Sequence, residues 1–226
     1  KGEHMGILSI KEVAYQYKNK YQTVDALKSV NYEFEIGKVY AMVGKSGSGK
    51  TTLLSLMAGL DLPTSGDVLF EGNSTRGMDR DSFRREHVTV IYQSFNLLPL
   101  LTVLENVMYP LLLRGVSKKD ARALAATNIA KVDLDPEKYA NRLPSMLSGG
   151  ERQRIAIARA LATESKIILA DEPTGNLDEK NSDNVMNILT KLSHDHGYCI
   201  VVVTHDMNLA SKADVLVRIS DGQLIA

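Results

Sequence analysis

Residues 44–51 read GKSGSGKT. Gly44, Gly47 and Gly49, with Lys45, Ser46 and Ser48 between them, let the backbone wrap closely enough for several N–H groups to face one anion. Lys50 adds a positive charge for the β- and γ-phosphates of a nucleotide. The Thr51 hydroxyl is of the type that ligates Mg²⁺, and Thr52 follows it. The apolar run VYAMV precedes the loop, and a helix is expected from about 50 to 58. That strand–loop–helix context disfavours the plainer reading, a tight turn with no ligand.

Residues 167–172, IILADE, form an apolar run that ends in two adjacent carboxylates. Two acids at the end of a buried strand repel one another and lose hydration unless a cation sits beside them. Asp171 is therefore assigned to the Mg²⁺ shell. Glu172 remains to orient a water in line with the γ-phosphate and accept its proton. His205 closes the run CIVVVTH and Gln93 closes VTVIYQ. If these strands run parallel to VYAMV, every one of these groups meets at one carboxyl edge, where open α/β sheets bind ligands. There His205 can hydrogen-bond the γ-phosphate or the attacking water, and Gln93 can help place Mg²⁺ or that water. Taken singly, a strand-end histidine or glutamine is more often structural.

A second helix start has the same flavour. LSGGE at 147–151 leads into RQRIAIARALA. Ser148 is placed to cap this helix, and Glu151 three residues on can close a capping box. Gly149 and Gly150 need a reason, since glycine costs about 1 kcal/mol relative to alanine inside a helix. A bare first turn lets an anion approach the N–H groups. Glycines for close packing are the alternative. A chain this short has little use for two nucleotides, so the economical reading joins two copies. Each SGG closes over the ATP held by the other copy's phosphate loop.

These groups need a scaffold. Partly alternating runs at 7–17 and 27–37 read as strands, and 63–73 as a turn, a strand and a second turn. A short polar helix spans 79–87, and buried strands are expected at 88–93, 165–172 and 198–206. From about 95 to 160 only helices are expected: 102–113, 118–132 and the one after Ser148. A long helix over 178–196, a short one at 207–213 and a hairpin about Asp221-Gly222 complete the chain. Strands alternating with helices predict an α/β fold with a mostly parallel sheet covered on both faces. The expected division is a single domain, 5–226, with an α/β core at about 5–94 and 161–226 and a helical subdomain at about 95–160. The first four residues, KGEH, look like a cloning remnant.

Lysine plus arginine equals aspartate plus glutamate at 27 each, which argues against nucleic acid as a partner. The one cysteine, Cys199, lies in an apolar run and reads as a buried small group, consistent with a reducing compartment. The most apolar stretch, 97–115, is interrupted by Pro99, Thr102, Glu105, Asn106 and Pro110, so no membrane span is expected.

In this order and spacing, GKSGSGKT, Gln93, LSGGE, LADE and His205 resemble the nucleotide-binding subunit of an ABC transporter, from about Ile7 onward. The resemblance implies a P-loop NTPase fold, a RecA-like core with an antiparallel β part and an inserted helical subdomain. It implies an ATPase whose LSGGE acts in trans across a homodimer. Tyr17 resembles the aromatic that stacks on adenine, with Tyr15 as competitor. Asn176, Leu177 and Asp178 match the loop that touches the opposite site, although Asp178 also suits a plain helix cap. Glu151 departs from the usual glutamine and adds negative charge near a phosphate. GLDLPTSGDV, YQSFNLLPLLTVLENV and LADEPTGNLD are similar to the lipoprotein-releasing, macrolide-exporting and cell-division group (LolD, MacB and FtsE). That similarity implies a peripheral protein on the cytoplasmic side of the membrane, bound to an integral permease subunit. The apolar segment with Phe95, Leu97 and Leu98 is the expected groove for that subunit's helix. A regulatory module with little turnover, or a soluble remodelling ATPase, is the alternative.

Overall fold

The computed structural model describes residues 6–18 and 20–225. The remnant assigned to residues 1–4 lies outside them. Two sheets make up the β structure. The first is antiparallel, in the order β2-β1-β4-β5, from β1 (Leu8–Lys18), β2 (Thr23–Phe34), β4 (Ser65–Phe70) and β5 (Asn73–Ser74). The second has six strands in the order β10-β9-β3-β8-β7-β6. These are β3 (Val39–Val43), β6 (Val88–Tyr92), β7 (Ile167–Asp171), β8 (Cys199–Val203), β9 (Val215–Ser220) and β10 (Gln223–Ile225). All neighbours in it are parallel except the β9–β10 hairpin.

The continuous apolar runs of the sequence have a direct cause. Successive side chains of a strand face opposite sides, and both sides of this sheet are covered. Ile168, Ala170, Ile200 and Val202 enter one apolar cluster with the helices α3 (Val103–Leu113), α4 (Lys118–Lys131), α6 (Gly149–Leu161) and α7 (Glu179–His196). Ile167, Leu169, Cys199, Val201 and Val203 enter the other, with α1 (Lys50–Met57), α2 (Arg80–Glu86) and the antiparallel sheet. Cys199 is fully buried, and burial pushes its thiol up to about 12, so it behaves as packing. Two further short helices are α5 (Pro136–Tyr139) and α8 (Met207–Ala210). Among the described residues no helix is long and apolar enough to cross a membrane.

The helical stretch joins the sheet through a tether. Residues 97–102 form no regular element. Asn106 of α3, fully buried, accepts from Leu98 N at 2.8 Å. It donates to the carbonyls of Leu98, Leu101 and Thr102 at 3.1, 2.9 and 3.0 Å. One amide thus satisfies a turn that would otherwise bury bare backbone. Thr102 caps α3 in a capping box with Glu105.

Asn106→Ala strips these partners while leaving the helix intact. The expected outcome is a loss of about 2–4 kcal/mol of stability, read as a lower urea midpoint at unchanged slope.

Candidate functional site

The register of the parallel strands builds the site. Met42 of β3 and Asp171 of β7 both lie level with Val203 of β8, and Asp171 also lies level with Tyr92 of β6. The residues just past each strand therefore emerge at one edge: Gly44 after β3, Gln93 after β6, Glu172 after β7, and Thr204 with His205 after β8. Gln93, Glu172 and His205 stand one, one and two residues beyond their strands, which end slightly earlier than the sequence led one to expect.

The phosphate loop is held from behind. Gly47 and Gly49 have φ of +77° and +106°, values that glycine adopts freely. A Cβ on Gly44 would lie 2.2 Å from the Ile219 carbonyl, and one on Gly49 would lie 2.6 Å from that of Ala26. The terminal hairpin fixes the loop further, as Gly222 N donates to Ser48 O at 3.0 Å. Helix α1 starts at Gly49 with no side-chain cap, which leaves its positive end for an anion. Lys50 Nζ donates to the carbonyls of Gly44 and Lys45 at 2.7 and 2.9 Å, so its charge is aimed back across the loop.

A cavity of about 540 Å³ runs over this loop, lined by Gly44, Ser46, Gly47, Lys50, Thr51, Thr52, Glu172, His205 and Tyr17. Tyr17 is 52% exposed and its hydroxyl lies 3.1 Å from Thr52 Oγ1. Tyr15 is occupied elsewhere. Its hydroxyl is bound to the Asp61 carboxylate, which raises its pKa to about 12, and it meets Tyr17 edge to face at 4.9 Å. Of the two tyrosines left open by the sequence, Tyr17 is the one on the cavity.

A second cavity, about 630 Å³, is lined by Thr51, Gln93, Asp171, Glu172 and Asn176. Burial raises the Asp171 pKa, the Glu172 charge adds to this, and Lys50 opposes it. Glu172 has φ of +48°, a conformation that a non-glycine residue keeps only when its surroundings hold it. Its N–H donates to Val203 O at 3.0 Å, and its Oε2 lies 2.6 Å from His205 Nδ1. Gln93 Nε2 donates to Asn176 Oδ1 at 3.3 Å, and Asn176 Nδ2 returns to the Gln93 carbonyl at 3.2 Å. Nothing in the sequence pattern signalled the strained backbone of Glu172 or this amide pair.

Ser148, Gly149, Gly150 and Glu151 line neither cavity. Ser148 caps α6, with its hydroxyl accepting from Glu151 N and Glu151 Oε2 accepting from Ser148 N at 2.7 Å. The other Glu151 oxygen accepts from Tyr139 OH at 2.5 Å. Partial burial alone would raise the Glu151 pKa, but the bonds from Tyr139 and Ser148, with Arg154 near, hold it below the usual range. Both carboxylate oxygens are thus engaged within the chain, and the negative charge is kept. Gly149 packs on Leu177, and a Cβ on Gly150 would fall 2.2 Å from Asn181 Oδ1. Close packing is therefore a structural reason for Gly150. Asp178 caps α7, accepting from Asn181 N at 2.8 Å.

The sequence profile of ABC transporters matches residues 27–175. The chain is 41% identical over 223 residues to an uncharacterized ABC transporter ATP-binding protein, MJ0796, of Methanocaldococcus jannaschii, covering 96% of this chain and 95% of that one. It is 44% identical over 222 residues to the lipoprotein-releasing system ATP-binding protein LolD of Francisella tularensis, again covering 96% and 95%. A dimeric structure of the MJ0796 cassette superposes with a TM-score of 0.87 at 40% identity, covering 97% of both chains. A dimeric post-hydrolysis state of MJ0796 bound to ADP and Pi also gives 0.87, at 39% identity.

The Gly150 contact can be tested on the free chain. Gly150→Ala is expected to cost about 1–3 kcal/mol by overpacking against Asn181. Adding Asn181→Ala should recover most of that loss in a double-mutant thermal-melt cycle.

Proposed function

The chain belongs to the ABC transporter family, and from that premise we propose how its residues share the work of an ATP-binding, ATP-hydrolysing subunit. The observation that carries the reading is the meeting, at one sheet edge, of the glycine-rich loop, Asp171 and the Glu172–His205 pair. Backbone N–H groups of residues 44–51 and Lys50 bind the phosphates. Tyr17 stacks on the adenine, and its exposed ring over the cavity supports this.

Magnesium fits the donors present. Thr51 hydroxyl, Asp171 carboxylate and the Gln93 amide oxygen are hard oxygen ligands around one cavity. A cation there would also relieve the half-buried Asp171 of the Glu172 charge. The bound ion would neutralise developing phosphate charge. Glu172, held in a fixed backbone conformation, accepts the proton of a water in line with the γ-phosphate. His205, hydrogen-bonded to it, places that water or the γ-phosphate.

The helix start at Ser148–Glu151, with Asn176 and Leu177 beside Gly149 and Asp178 next in that loop, is proposed to close over nucleotide on a second copy. The dimeric solved relatives support this. Residues Phe95, Leu98, Tyr109 and Leu113 line an apolar groove of about 290 Å³. Leu97, expected there too, packs instead against the core cluster. We assign the groove to a cytoplasmic helix of an integral membrane subunit of the lipoprotein-releasing or macrolide-exporting type, and the chain to the cytoplasmic membrane face. Identity to LolD supports that choice.

Glu172→Gln should bind ATP normally, turn it over about 100-fold or more slowly, and accumulate as a dimer by gel filtration in ATP. Wild-type turnover in that variant would remove Glu172 as the base. Tyr17→Ala should weaken ATP binding about 5- to 100-fold, as loss of one base–aromatic stack does. Tyr15→Phe should leave ATP affinity unchanged. Titration with a fluorescent ATP analogue separates the two.

A further inference from the structure

Two residues beyond Gln93 the chain makes an unusual turn. Phe95 and Asn96 have φ of +63° and +48°, consecutive non-glycine residues in the left-handed region. That conformation costs about 1–2 kcal/mol for a residue such as Phe95 and less for asparagine, and two local bonds offset part of it. Phe95 N donates to Tyr92 O at 3.2 Å, and Asn96 N donates to Ser94 O at 2.7 Å.

The stronger hold comes from α6, the helix that LSGGE opens. Arg159 donates to the Asn96 carbonyl at 2.7 Å and the Phe95 carbonyl at 3.2 Å. One fork thus grips both strained residues, with charge-assisted bonds. Two turns nearer the start of α6, Arg152 lies over the Phe95 ring at 5.3 Å. The turn is fastened to α6 by one guanidinium on its backbone and another on its ring. Gln93 enters this turn directly, and its own side chain reaches Asn176. A Cβ on Gly175 would lie 2.6 Å from Gln93 Nε2, so the amide rests against the bare Gly175 backbone as well as on Asn176.

We propose that Arg159 is a positioning residue for hydrolysis, which latches the left-handed Phe95–Asn96 turn to α6 and so sets the Gln93 side chain at the metal cavity. The latch rests on the reading of Gln93 given above. Arg159 itself lines neither the cavity over the phosphate loop nor the one bordered by Gln93 and Asp171. Its removal lets the turn relax to negative φ, which swings the chain on either side of it and withdraws Gln93.

The test uses the full chain, with steady-state phosphate release for kcat and a fluorescent ATP analogue for affinity. Arg159→Gln is expected to lower kcat about tenfold and leave ATP affinity within about twofold. The double variant Arg159→Gln/Gln93→Ala is expected to be no slower than Gln93→Ala alone. Asn96→Gly removes the Cβ penalty of the left-handed region, and it should restore much of the lost kcat to Arg159→Gln. A merely structural arginine would give no such rescue. Additive losses in the double variant, or a failed glycine rescue, overturn the latch. If Gln93→Ala is slow and Arg159→Gln is normal, the latch alone falls. If Gln93→Ala works like wild type, the role of Gln93 falls and the latch with it. Should Arg159→Gln not fold, Arg159→Lys keeps the charge without the fork. It is expected to be slow and to show the same glycine rescue, and normal turnover in it overturns the proposal.

Discussion

The in-register parallel pairing of β3, β8, β7 and β6 is the constraint on which everything else rests. Each strand is short, five residues, and β3, β7 and β8 are covered on both faces while the edge strand β6 is partly open. A slip of one residue would exchange the side chains meant for the α1 side with those meant for the α7 side. It would also move Asp171 off the level of Val203, and with it the groups attached to the ends of both strands. The two apolar clusters therefore do more than supply stability. They fix the axial position of every group at the sheet edge, because the groups are attached directly to strand ends with one or two residues of slack.

What the clusters hold in place is locally unfavourable. Asp171 and Glu172 are adjacent carboxylates, one of them pushed toward its neutral form by burial. Glu172, Phe95 and Asn96 all sit at positive φ without being glycine. Lys50 turns its ammonium onto its own loop. Contacts nearby hold these groups: His205 beside Glu172, the Arg159 fork on Phe95 and Asn96, Lys50 opposite Asp171, and two carbonyls on Lys50 itself. Strain of this kind collects where a surface must stay ready to bind, and none of these positions lies within β3, β6, β7 or β8 apart from Asp171 at the last residue of its strand.

Legibility in the sequence followed the range of the interaction. The phosphate loop was plain because its glycines, lysine and threonine act on neighbours within one turn. The strands were plain because double burial writes unbroken apolar runs. The hairpin at Asp221-Gly222 was plain because two consecutive residues at positive φ need such a pair. By contrast, α5 at Pro136–Tyr139 is too short to carry a period. The choice between Tyr15 and Tyr17 depended on Asp61, far away in the chain. The bonds from Arg159 to Phe95 and Asn96 span more than sixty residues, so no local pattern could announce them. Family resemblance supplied roles for the motif residues, but it carried nothing about what holds Gln93.

The LSGGE helix start shows how one short stretch answers several demands at once. Its cap is closed internally by Ser148 and Glu151, so the helix needs no ligand to form. Gly150 is small because Asn181 stands against it, and Gly149 lies against Leu177. These contacts bind α6 to the first turn of α7 and to the loop that leads into it from Glu172. The far side of the same loop meets Gln93 through Asn176. One helix therefore grips both loops that border the cavity between Thr51, Gln93 and Asp171, the 93–96 turn through its arginines and the 174–178 loop through Gly149. A push on α6, from the second copy proposed at its first turn or from the membrane partner proposed for the groove beside Arg159, would reach the cavity from two sides. That geometry requires no wire of residues between distant sites, only a rigid helix whose packing leaves the two loops no independent resting place.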